Sequence, residues 1–139
     1  MRNKLIILGC GSSMGVPRAD GYWGQCDPRE TKNYRTRCSA ILKNKDTNIL
    51  IDTSPDLRTQ LINNKIKSIS NVIYTHMHGD QVHGINDLRI FSLINKKKIS
   101  IYADIETRKH LFKNFTYCFK DTLDYKAILK LKKLKKKNI

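Results

Sequence analysis

Short apolar runs separated by glycine, proline and polar clusters set the rhythm of the chain. Residues 4–9 (KLIILG) form one such run and enter a glycine-rich segment, which predicts a buried strand leading into a loop over 9–17. Residues 38–43 (CSAILK) and 48–53 (NILIDT) predict two further strands, joined as a hairpin by the polar NKDT. Pro55 opens a stretch with Leu57, Leu61 and Ile62 at helical spacing, so a helix is expected over 54–64. Residues 71–75 (NVIYT) predict a strand. Residues 85–95 carry Leu88, Phe91 and Leu93 or Ile94 at helical intervals. A strand over 98–103 and a helix over 104–115, capped by Asp104, complete the pattern. Strands alternating with helices imply a mixed α/β layered structure. Residues 21–37 are polar and periodless, long for a simple connection, and therefore either functional or mobile.

Beyond residue 125 the pattern changes. Ile128, Leu131 and Leu134 recur at three-residue steps among lysines, which fits a basic amphipathic helix. The same residues also fit a solvated low-complexity tail. Residues 1–125 are read as one domain and 126–139 as a lysine-rich tail.

The chain of 139 residues is long enough for one modest core, and 40% of it is hydrophobic. Its formal charge is +15, concentrated in residues 91–139, where 14 basic residues face 4 acidic ones. That balance admits nucleic acid as a partner. Lysine, isoleucine and asparagine, all read from A/T-rich codons, make up 47 of the 139 residues, so part of the basicity is compositional. The four cysteines form no CxxC pair, which argues against a cysteine zinc site or a disulfide framework. No segment approaches the ~20 apolar residues of a membrane span, and LIIL is too short for a signal-peptide core. A cytoplasmic protein is expected.

The densest chemistry lies in residues 75–84, THMHGDQVHG. His76 and His78, two apart in an extended segment, can turn to one side and share an ion. Asp80 continues the alternation and faces the same ion or a second one nearby. Imidazole nitrogen and carboxylate oxygen suit zinc and similar borderline metals. Such an ion brings the pKa of bound water to ~7 and makes a hydrolytic nucleophile available.

This loop resembles the H-x-H-x-D-H signature of the metallo-β-lactamase superfamily. LGCGSSMGVP resembles the glycine loop of its phosphodiesterase branch, and ILIDTSPDLR the strand of that branch that carries a buried aspartate. WGQCDP and RTRCSAIL fall between them in the expected order. The resemblance implies the N-terminal half of an αββα sandwich, with a mixed sheet and flanking helices. It also implies a metal-dependent hydrolase related to enzymes that open phosphoribosyl cyclic phosphates. His76 and His78 then match ligands of one metal. Asp80 matches a ligand of a second metal and the loop's catalytic carboxylate. Asp52 matches the aspartate that supports the loop from behind, although an ordinary strand-end carboxylate is the plain alternative. His83 is either a supporting or substrate-side group or a surface histidine, and His110 is unrelated.

Gln81 departs from the pattern, standing where the family places a histidine. The family's later ligands, two histidines and a bridging aspartate, have no counterpart after His83. The resemblance therefore implies a truncated enzyme, inactive as an isolated chain and holding at most one zinc or manganese ion. Its inner sheet face is expected to be uncovered and to favour self-association or a complementing C-terminal half. The alternatives are a basic nucleic-acid-binding protein and a decayed fragment.

Overall fold

The computed structural model describes residues 3–133. Six strands form one mixed sheet in sequence order: β1 (Lys4–Gly9), β2 (Ser39–Lys43), β3 (Asn48–Ile51), β4 (Asn71–Ile73), β5 (Ile99–Ala103) and β6 (Leu129–Lys133). The first three are antiparallel neighbours, and β3 to β6 run parallel. Parallel neighbours need long crossovers. These are supplied by α1 (Leu57–Asn63), by α2 (Gly79–Val82) with α3 (Arg89–Asn95), and by α4 (Ile105–Asn114) with α5 (Thr116–Phe119).

Strand alternation separates two faces. Register places Ile6, Ile41, Leu50, Val72, Ile101 and Leu131 in one row across all six strands. That row joins Leu57 and Leu61 of α1, Phe91 of α3 and Leu111 of α4 in a single core. Each fully buried Leu or Ile there contributes about 1.5–3 kcal/mol. On the opposite face, Leu5 and Ile7 remain 62% and 58% exposed. This face turns from apolar at β1–β3 to polar at β5–β6, where Ser100 and Tyr102 lie opposite Lys130 and Lys132.

Several elements differ from the sequence reading. The helix expected over 54–64 begins only at Leu57, because Ser54 Oγ accepts from the Asp56 backbone N–H in a turn and the Asp56 side chain makes no cap. The region 85–95 starts as a 3-10 turn, Ile85–Leu88, before α3. Neither a helix nor a solvated tail describes Leu129–Lys133. The operative pattern there is the period-two alternation of Leu129, Lys130, Leu131 and Lys132, which makes β6 a strand pairing with β5. Leu134, used for the helical spacing, lies outside the described residues. Asp104 does cap α4, its carboxylate accepting from Thr107 N at 3.0 Å. Among the described residues no helix is long and apolar enough to cross a membrane.

Candidate metal centre

The histidine loop is fastened to the ends of two parallel strands. Beyond β3, Asp52 takes the left-handed conformation at φ 59°, which short polar residues tolerate better than most. Its N–H still bonds to Ile73 O at 2.9 Å. Thr53 donates its N–H (2.6 Å) and its hydroxyl (3.1 Å) to Gln81 O, and Gly84 N–H returns to Thr53 O at 2.9 Å. The approach is so close that a side chain at Gly84 would collide with Ser54 O. Beyond β4, Tyr74 ties to β5 and buries its ring, with its hydroxyl 2.8 Å from Thr53 Oγ1. The loop is thus stapled at both ends while residues 76–78 stay exposed.

His76 and His78 come together, with ring centroids 4.7 Å apart in an edge-to-face arrangement. Asp52, only 6% exposed, lies behind them. It accepts from Thr75 N at 2.8 Å and from the Thr75 hydroxyl at 2.7 Å. Thr75 Oγ1 in turn lies 3.0 Å from His76 Nδ1. The hydroxyl has one proton and gives it to the carboxylate, so the ring must donate from Nδ1. Nε2 is left with a lone pair available to a metal. Burial pushes the Asp52 carboxyl above its ordinary pKa, with the Thr75 bonds and the His76 charge opposing and Asp80 adding to the rise. Asp52 therefore supports the loop through Thr75, a residue the sequence motif did not single out.

Asp80 is placed differently. Its Oδ2 accepts from Gln81 Nε2 at 2.8 Å. Among the described residues no three His, Cys, Asp or Glu side chains are grouped to hold a metal ion. The donor set nevertheless fits one ion at the imidazole pair, two nitrogens on one side of an extended segment with one ring already oriented. His83 packs its ring against Phe115, with centroids 6.3 Å apart, and lies over Gly79. His110 sits on α4 and belongs to no such group. Arg37, unnoticed in the sequence, holds Asp56 through Nε (2.9 Å), Nη2 (2.7 Å) and its backbone N–H (2.9 Å). Its charge also reaches Asp80.

The fold is shared with solved structures. A diphosphatase of the PhnP family is 30% identical, with a TM-score of 0.82, over 100% of this chain and 53% of its own. Zinc-bound PqqB from Methylobacterium extorquens is 18% identical with a TM-score of 0.70, over 96% of this chain and 46% of its own. A human protein, the short form of tRNase Z, is 20% identical with a TM-score of 0.62, over 95% and 44%. The chain thus spans about half the length of these structures. A Porphyromonas gingivalis protein named octanoyltransferase is 33% identical over 118 residues, 84% of this chain and 24% of that protein. Residues 47–137 match the model of the beta-lactamase superfamily domain, and the chain, with its mixed sheet and histidine loop, belongs to that superfamily in its metallo-β-lactamase fold.

Proposed function

We propose that these residues form the metal-binding part of a hydrolase that cleaves phosphate esters, with phosphodiesters such as cyclic phosphates as substrates. The observation that carries this reading is the His76–His78 pair with its orienting chain from Asp52 through Thr75, in a fold shared with a 30%-identical diphosphatase. His76 and His78 hold zinc or manganese, zinc being favoured by two imidazole nitrogens. Asp80, the loop's candidate catalytic carboxylate, would serve as a further ligand only in an assembly that frees its carboxylate from Gln81, and in the isolated chain it stays outside the ligand set. When bound, the ion supplies Lewis acidity toward a phosphoryl oxygen and acidifies water. Thr75 and Asp52 keep the His76 proton on Nδ1, and His83 stands on the substrate side of the loop beside Phe115. Lys130 and Lys132, next to Ser100 and Tyr102, give the far end of the open face a basic character suited to an anionic partner such as nucleic acid.

The 139 residues alone are read as inactive, because no third ligand is grouped with the imidazole pair among the described residues. The test combines metal analysis after dialysis with hydrolysis of ribosyl 1,2-cyclic phosphate and bis(p-nitrophenyl) phosphate. Expected are at most about one ion per chain, its loss in His76→Ala and His78→Ala, and no turnover. Turnover should emerge only with a separately expressed C-terminal half from a related enzyme. Failure to retain zinc or manganese overturns the metal reading, and turnover by the chain alone overturns the inactivity.

A further inference from the structure

Gln81 is the second residue after Gly79 in α2, and its side chain is 6% exposed. Its Nε2 donates to Asp80 Oδ2 at 2.8 Å, while its Oε1 is buried without a hydrogen-bond partner among the described residues. A reversed amide would set an oxygen against a carboxylate oxygen with no proton between them, so the nitrogen faces Asp80. The main chain at Gln81 is held in place. Its carbonyl accepts both the N–H and the hydroxyl of Thr53 at the end of β3.

We infer that Gln81 is a positioning residue that holds the Asp80 carboxylate out of the ligand set, making the loop a one-ion site built on two imidazoles. This rests on the metal-binding reading above and specifies how many ions and which ligands that site takes. The Asp80 carboxylate has a hydrogen-bond partner of its own in the Gln81 amide, without any ion. Recruiting Asp80 to the imidazole pair would strip Nε2 of its partner when Oε1 already has none. A buried amide with neither end paired disfavours that rearrangement by roughly tenfold to a hundredfold. The carboxylate therefore stays pinned where, among the described residues, no third ligand meets His76 and His78.

Cobalt(II) binding, followed by native mass spectrometry and visible absorption, tests this without any activity assay. The 139-residue chain should take one Co²⁺, and Asp80→Asn should leave its affinity within about threefold, as expected for a group outside the coordination sphere. Gln81→Met keeps the length but removes the donor. It should tighten Co²⁺ binding at least about tenfold and shift the d–d bands as a carboxylate oxygen joins. Asp80→Asn combined with Gln81→Met should return to the wild-type affinity. Gln81→His, which also removes the amide, should admit a second, weaker Co²⁺. A tenfold loss in Asp80→Asn alone, weaker binding in Gln81→Met, or two ions in the wild type would each overturn the inference. Should Gln81→Met not fold, Gln81→His still decides, and a count that remains at one ion overturns it. Wild-type protein that binds no Co²⁺, or binds it undisturbed by His76→Ala, refutes the metal reading itself and is distinct from these outcomes.

Discussion

Asp52→Asn separates the orienting role of this aspartate from any role in holding the fold together. In the wild type, Asp52 takes the Thr75 proton at 2.7 Å, so the hydroxyl can only accept from His76 Nδ1 at 3.0 Å. The substituted asparagine would keep the bond to Thr75 N through its oxygen but would donate its amide N–H to Thr75 Oγ1. The hydroxyl proton would then turn to His76 Nδ1, and the ring proton would move to Nε2, the nitrogen needed by the metal. Losing such an orienting partner costs about 10–100-fold in metal affinity, equivalent to about 1.4–2.7 kcal/mol. The fold should not suffer, because asparagine tolerates the left-handed backbone at φ 59°. Burial raises the Asp52 pKa, so the folded state holds this proton more tightly than the unfolded chain. The stability contribution of Asp52 is thus complete below the ordinary carboxyl value and is lost as pH rises through the higher folded value. The Asp52→Asn variant is free of that loss, and its melting temperature at neutral pH should equal or exceed the wild type's. Chelator-competition titration with zinc gives the affinity, and nitrogen-15 correlation spectra of His76 give the tautomer. Unchanged affinity with the proton still on Nδ1 would refute the chain of reasoning. Thr75→Val should reproduce the loss, and Thr75→Ser should not.

Four other outcomes are expected. Asp56→Ala should lower stability at pH 7 by about 1–3 kcal/mol in a urea titration, since three Arg37 bonds converge on this part-buried carboxylate. Arg37 holds the Asp56 pKa below 3.8, so the difference should persist above that pH and fade as pH falls through the folded value. Gly84→Ala should cost about 3 kcal/mol or more in the same assay, because its Cβ would be driven into the Ser54 carbonyl oxygen. Sedimentation velocity should show concentration-dependent self-association that Leu5→Lys with Ile7→Lys suppresses, as these side chains dominate the open apolar face. A monodisperse wild-type monomer would contradict it. Gln81→His should leave the isolated chain without turnover on cyclic phosphate, and metal-dependent turnover would show that this loop suffices for catalysis.

Hydrophobic spacing made β1 to β5 and α4 legible because each buries alternate or helical positions in one core. Leu50, Val72 and Ile101, for example, share a row across three neighbouring strands. It misled at β6, where alternating leucine and lysine sit inside a lysine run. There composition suggested a solvated segment, and three-residue steps competed with two-residue ones. The strand wins because Leu129 and Leu131 extend two rows, with Ile99 and with Ile101, that no helix could continue. The short turns α2 and α5 carry too few residues to show a period.

At the histidine loop, spacing points to His76, His78 and Asp80 as candidate ligands but does not say which of them are free. His76 and His78 are two apart in an extended segment, and that alone brings their rings together. The availability of Nε2 depends on where a Thr75 proton goes, and this is decided by Asp52, which is 23 residues away in sequence. The availability of Asp80 depends on its immediate neighbour, yet the effect of Gln81 follows from burial and from the Thr53 bonds that fix it. A surface glutamine at that position would be satisfied by water and would exert no comparable hold on the carboxylate. The departure from the histidine pattern is therefore more than the loss of a ligand. Once buried, the neutral amide is a hydrogen-bond donor to Asp80, and the one-ion occupancy we propose for this loop rests on that bond.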